Sequence, residues 1–229
     1  MSASDREKQL AAKRAVEFVQ DGMLVGLGTG STSAFAIIEL GNRVRAGLRI
    51  TAASSSKASE DLARSVGITV VDFATLSRLD LTIDGADEID ANFRAVKGGG
   101  GALLREKVIA AASDQMIAIV DSSKVVSKIG KCKLPVEVLP FAMEWVERSV
   151  AELGAAATRR KTAAGELFVT DQNNFILDLV FGDGYDATKL AAALDAIPGL
   201  FEHGLFLTEI DVLVIGRGEN VEVRRRVTQ

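Results

Sequence analysis

The sequence predicts an α/β fold: a parallel sheet with helices on both faces, carrying an inserted, smaller α+β unit of ferredoxin-like order. Three observations lead there. Short apolar runs alternate with helical stretches as far as Gly130, as in strands joined by crossover helices. Beyond Gly130 the order becomes strand, helix, two strands and helix. Finally, Asp211-Val212-Leu213-Val214-Ile215 is apolar enough to return as a strand of the main sheet, which makes the second unit an insertion. The expected division is 1–130 with 205–229 for the main unit and 131–204 for the small one.

From Lys8 to Val19, Leu10, Ala11, Val16, Phe18 and Val19 recur at helical spacing, and Asp21-Gly22 closes the segment. Met23 to Leu27 reads as a buried strand, and Thr29-Gly30-Ser31-Thr32 leads into a helix over Ala34 to Leu40. The pattern repeats with Arg49 to Ala52, the serines Ser54-Ser55-Ser56 and a helix to Ser65, followed by strands at Ile68 to Val71 and Leu81 to Ile83. A helix over Ala102 to Ala112 and a strand over Met116 to Val120 complete the main unit's first part. In the small unit the expected elements are a strand at Pro135 to Val138 and a helix from Ala142 to Leu153. Two strands between Glu166 and Val180 then flank Asp171-Gln172-Asn173-Asn174, and a helix from Asp186 to Ala196 ends at Pro198-Gly199.

Composition narrows the functional classes. With 229 residues and 48% hydrophobic content the chain can bury a sizeable core. A net charge of -4 gives no global basic field, so an extended nucleic-acid interface is not expected, and the short tail Arg224-Arg225-Arg226 reads as solvated. The single Cys132 allows no internal disulfide, and Cys132 with the single His203 cannot assemble a zinc site, which fits a reducing, cytoplasmic setting. Asp5-Arg6-Glu7-Lys8 is too charged for a signal peptide, and no run approaches a membrane span, so no membrane association is expected.

Four segments at strand ends can carry chemistry. Gly26-Leu27-Gly28-Thr29-Gly30-Ser31-Thr32 lies between a strand and a helix, where free N–H groups and a positive dipole end suit a phosphate. A dinucleotide fingerprint would want glycine at Ser31 and an acid after the second strand, where Ser54-Ser55-Ser56-Lys57 stands instead. A plain capped turn is the other reading. Asp84-Gly85-Ala86-Asp87-Glu88-Ile89-Asp90 supports either a magnesium site or a solvated acidic turn, and does not match a calcium loop. Lys97-Gly98-Gly99-Gly100-Gly101 is entropically costly to order, a cost that close approach of a ligand would justify. Glu106, about one turn into the following helix, can face that loop, while Arg105 and Lys107 point elsewhere; taken alone it reads as a surface helix residue. Asp121-Ser122-Ser123-Lys124 offers a further cation. Strand ends of one parallel sheet meet in space, so these segments converge.

Gly28-Thr29-Gly30-Ser31-Thr32, Ser54-Ser55-Ser56, Asp84-Gly85-Ala86-Asp87-Glu88, Lys97-Gly98-Gly99-Gly100-Gly101 with Arg105-Glu106-Lys107, and Leu134-Pro135-Val136-Glu137-Val138 together resemble the type A ribose-5-phosphate isomerases, in that family's order and over nearly the whole chain. The resemblance implies a Rossmann-like domain with a small lid, assembled as a homodimer or homotetramer. It implies interconversion of D-ribose 5-phosphate and D-ribulose 5-phosphate in the non-oxidative branch of the pentose phosphate pathway, without metal or nucleotide cofactor. Carried over by position, Glu106 is the catalytic base, with Asp84, Asp87 and Lys97 in the catalytic set. Thr29, Gly30, Ser31, Thr32, Gly85, Ala86, Gly98, Gly99, Gly100, Lys124 and Lys8 join Asp84, Asp87 and Lys97 in holding the sugar phosphate. Lys57 stands where a small or acidic residue would be expected.

The chemistry implied is proton transfer between carbons 1 and 2 through an enediolate. One carboxylate can deprotonate one carbon and reprotonate the other, provided burial lifts its pKa. Lys97 and loop N–H groups are placed to meet the developing oxyanion. Amino-sugar phosphate deaminases and sugar-phosphate sensor domains are the rival classes. The first would draw on His203, which reads as a structural histidine; the second would need a DNA-binding element that neither terminus has room for.

Overall fold

The computed structural model describes residues 2–182 and 184–227. Helix α1 (Ala3–Val16) is followed by β1 (Leu24–Leu27), α2 (Ser31–Arg45), β2 (Thr51–Ser54), α3 (Lys57–Ser65), β3 (Thr69–Val70) and β4 (Leu81–Gly85). Two short strands, β5 (Glu88–Ile89) and β6 (Ala95–Val96), precede α4 (Leu103–Ala111) and β7 (Met116–Asp121). The small unit runs β8 (Leu134–Val138), α5 (Met143–Glu152), β9 (Ala155–Arg159), β10 (Phe175–Phe181), α6 (Ala187–Asp195), β11 (Leu200–His203). The chain returns through β12 (Leu205–Phe206), β13 (Val212–Arg217) and β14 (Asn220–Arg225).

The main sheet has the order β14-β13-β7-β4-β1-β2-β3, parallel throughout except for the antiparallel edge strand β14. Alternation along β7 shows how both faces are covered. Ile117 and Ile119 pack into the core with Ala11, Ala15, Ile37 and Leu40 of α1 and α2, while Met116, Ala118 and Val120 face Ala110 of α4 and Phe206. The small unit is a four-stranded antiparallel sheet in the order β11-β8-β10-β9, which is the ferredoxin-like arrangement, with its own core of Val136, Val146, Leu179 and Leu194.

Three expectations are corrected. The two strands placed between Glu166 and Val180 reduce to one, since 166–170 makes only isolated bridges, Lys161 with Leu167 and Val169 with Phe175. The partner strand is β9, whose Ala155-Ala156-Ala157 has no β-branched signal to read. Helix α1 starts earlier than Lys8 because Ser2 and Asp5 form a capping box, and it ends at Val16. Most of the basic tail is not solvated chain: Arg224 and Arg225 lie in β14, and Arg226 donates to the carbonyls of Ile210, Phe93 and Leu207.

Helix α1 is held tightly over the sheet's carboxyl edge. Glu7 accepts from the N–H groups of Ser122 and Gly218 at 2.8 and 2.7 Å, and a Cβ at Gly216 would lie 2.0 Å from the Glu7 carbonyl oxygen. This contact fixes where Lys8 enters the site. Gly216→Ala should therefore cost about 2 kcal/mol in urea unfolding; a variant as stable as the parent would show that α1 moves freely over β13.

Candidate active site

The carboxyl ends of β1, β4 and β7 meet at a cavity of about 270 Å³. It is lined by Lys8, Thr29 to Thr32, Gly85 to Asp87, Lys97 to Gly100, Glu106 and Lys124, so the residues drawn from separate strand ends come together in one place. Asp84 alone of the predicted set stands beneath the wall. Its Oδ1 accepts from Thr29 N, Ser33 Oγ and Gly85 N at 3.0, 2.9 and 2.7 Å, and its Oδ2 accepts from Lys97 Nζ at 2.7 Å.

One end of the cavity is positively polarised. Helix α2 begins at Ser31 with Gly30 as its N-cap and no side chain capping its first N–H groups, and Lys8 Nζ donates to Ser31 Oγ at 3.2 Å. The serines after β2 do not line the cavity. Ser55 and Ser56 stand 2.7 and 2.9 Å from Thr29 Oγ1, and Ser56 caps α3, so they brace the turn from behind. Lys57 takes part only through its backbone N–H, which donates to Asp171 Oδ2.

At the other end, Lys97 and Glu106 are both almost fully buried. Lys97 Nζ donates to Asp84 Oδ2 and, at 2.5 Å, to the Gly85 carbonyl. Its distance to Glu106 Oε2 is 3.3 Å, an ion-pair contact without hydrogen-bond geometry, so that oxygen is left with no donor. Burial pushes the Glu106 carboxyl up to about 8, against the pull of Lys97 and with the Asp84 charge adding to the rise. Burial opposes charge on Lys97, but Asp84, Glu106 and Asp87 outweigh it and hold the ammonium above its ordinary value.

The glycine loop brings backbone close to acid. Gly99 N donates to Asp87 Oδ2 at 2.8 Å, and a Cβ on Gly99 would lie 2.7 Å from Asp87 Oδ1. Gly98 has a φ of 101°, which favours glycine. The four acids of the 84–90 segment are engaged separately rather than as one ligand set. Asp84 holds Lys97, Asp87 holds Gly99, Glu88 accepts from the N–H groups of Gly130, Lys131 and Cys132, and Asp90 pairs with Arg94. Among the described residues, Asp195, Glu202 and His203 are the acid-histidine cluster with converging ligand atoms, and the Lys107 ammonium sits in it, 2.6 Å from Glu202 and 3.1 Å from His203 Nδ1.

The ribose 5-phosphate isomerase A (phosphoriboisomerase A) pattern matches residues 51–220. A curated ribose-5-phosphate isomerase A from Sphingopyxis alaskensis is 55% identical over 226 residues, 99% of each chain. The chain belongs to the ribose 5-phosphate isomerase A family. The solved ribose 5-phosphate isomerase A from Neisseria gonorrhoeae is 36% identical with a TM-score of 0.91, covering 98% of both chains. A solved D-ribose-5-phosphate isomerase in complex with phospho-erythronic acid is 33% identical with a TM-score of 0.94, covering 99% of this chain and all of that one.

Within this family fold, two residues absent from the sequence reading shape the site. Ser33 is buried and bonds both Asp84 and the Gly85 N–H; its place one residue past the hydroxyl-rich turn was the available signal. Arg160 of the small unit donates to the carbonyls of Gly98 and Gly99 at 2.8 and 3.1 Å and pairs with Asp178, a contact that no local motif announces. The raised Glu106 pKa has a measurable cost. Between its ordinary 4.5 and about 8 the folded state binds the extra proton, so stability from this group is full below 4.5 and lost as pH rises through 8. Glu106→Gln cannot ionise, and should melt about 5 °C above the parent at pH 9, with the gap closing near pH 5. Scanning calorimetry at both pH values checks this; a gap independent of pH would contradict it.

Proposed function

We propose that this chain interconverts D-ribose 5-phosphate and D-ribulose 5-phosphate with Glu106 carrying the proton. The single observation behind the assignment is that Glu106 is a buried carboxyl with one oxygen free of donors, facing the cavity beside a buried ammonium. A carboxylate in that state is a stronger base than one in water.

The phosphate end sits at the start of α2 between Lys8 and Lys124, which sets the sugar's direction in the cleft. Glu106 takes the proton from C2 of the open-chain aldose, the electron pair moves toward the C1 carbonyl, and the oxygen there gains negative charge. Lys97 is the nearest cation to it. Of the loop amides, that of Gly99 is committed to Asp87 and that of Gly101 to the Gly98 carbonyl, leaving those of Gly98 and Gly100 as donors. Glu106 returns the proton to C1 while a hydroxyl proton passes from O2 to O1, giving the ketose. Asp87, which lines the cavity, serves ring opening by moving a proton from the anomeric hydroxyl to the ring oxygen. Asp84, enclosed by four donors, acts on the sugar through Lys97. No step in this sequence calls for a metal or nucleotide.

Residues 131–204 act as a lid whose Arg160 grips the glycine loop. The chain works in the cytoplasm, in the non-oxidative pentose phosphate branch, as a homodimer or homotetramer. Phe141, Trp145 and Phe201 stand exposed on the small unit and offer apolar surface for a second copy to cover. Phe141→Glu should then lower the mass seen by sedimentation at micromolar concentration; an unchanged assembly would move the interface elsewhere.

Phospho-erythronic acid, bound by one solved relative, carries a carboxylate that spreads negative charge over two oxygens as an enediolate does. Glu106→Gln, assayed in EDTA, should lose ketose formation by about 10⁴-fold or more, yet still bind phospho-erythronic acid in calorimetry. Near-parental turnover in that variant would remove Glu106 from the reaction.

A further inference from the structure

Phe206 is wholly enclosed, in a strand pairing that sets it opposite Ala95, two residues before Lys97. The centroid of its ring is 5.2 Å from the Lys97 ammonium and 5.0 Å from the ammonium of Lys107, the residue after Glu106 on α4. Packing alone does not ask for this, since a leucine or methionine would fill similar space. Two like charges thus share one buried ring, in addition to the carboxylate that each of them meets. An aromatic face carries partial negative charge and holds a cation within about 6 Å, more strongly where water is absent.

The two cations differ in what else holds them. Lys107 is answered by Glu202 at 2.6 Å and by the His203 carbonyl at 2.7 Å. Lys97 is pulled by Asp84 and the Gly85 carbonyl on the side of β4, yet must stay near Glu106. A further carboxylate would steady it only by adding negative charge beside the base and by competing for its protons. A ring face attracts the ammonium and takes no proton.

We propose that Phe206 is a positioning residue for the proton transfer: its ring face holds the Lys97 ammonium in register with Glu106, and its contact with Lys107 ties that register to the helix bearing the base. The proposal rests on the assignment of Lys97 and Glu106 to the isomerisation. It is tested by replacing Phe206, in the full chain, with 4-fluoro-, 3,5-difluoro- and 3,4,5-trifluorophenylalanine, which drain charge from the ring face while nearly preserving its shape. The expected result is a stepwise fall in kcat reaching about tenfold, with KM for ribose 5-phosphate within about twofold and Tm unchanged. A flat kcat across the series, or a loss that disappears when rates are corrected for the folded fraction, overturns it. Glu106→Gln measured alongside separates the two levels. An inactive Glu106→Gln with a flat series removes only the role of Phe206, whereas an active Glu106→Gln removes the assignment beneath it and the proposal with it.

Discussion

Everything in the cleft is arranged around one dry group of charges, Asp84, Lys97 and Glu106. Removing Asp84 or Lys97 from such a group leaves its partners buried and uncompensated, a cost of about 3–5 kcal/mol, whereas the raised pKa of Glu106 marks its charge as the one the group holds least well. The three members are not equally provided for. Asp84 has four donors and Lys97 has two acceptors besides its contact to Glu106, whereas one Glu106 oxygen has none. The imbalance makes Glu106 the least stabilised charge of the three, and a carboxylate as well served as Asp84 would be a weaker base.

The fold supplies that imbalance by geometry rather than by unusual residues. Asp84 is the last buried residue of β4, one before its end, so its carboxylate meets the turn after β1 and the first residues of α2. Lys97 arrives from the short β6, held by the Gly204 carbonyl through its own N–H. Glu106 arrives from the first turn of α4 on the sheet's other face. Three different elements from one stretch of the chain thus deliver three charges to one point, and the glycine loop between Lys97 and α4 lets them approach.

Much of this was legible in the chain. Glycines, hydroxyls and acids placed directly after apolar runs mark the strand ends, and strand ends of a parallel sheet converge, so the sequence points to where the cavity lies, while Lys8, on α1, is named only by the family resemblance. Depth was not legible. Asp84 and Asp87 look alike in Asp84-Gly85-Ala86-Asp87, yet one lies under the wall and the other in it, a difference set by the Ser33 hydroxyl and the Thr29 amide arriving from elsewhere. Arg160 and Phe206 were invisible for the same reason, being ordinary residues made specific by distant partners. Strand β9 was missed because three alanines carry no pattern, and β14 because arginines at a sheet edge read as solvated chain.

The cavity is lined wholly by residues between Lys8 and Lys124, all of them ahead of the inserted unit in the chain. What Arg160 contacts across the gap is two backbone carbonyls of the glycine loop. Backbone carbonyls are the same whatever the side chains, so this one contact makes no demand on the side chains of the loop it grips. Elsewhere the units meet through named side chains, Glu202 with Lys107 and Asp171 with the Lys57 N–H among them, so the inserted unit is free to diverge only where those partners do not stand.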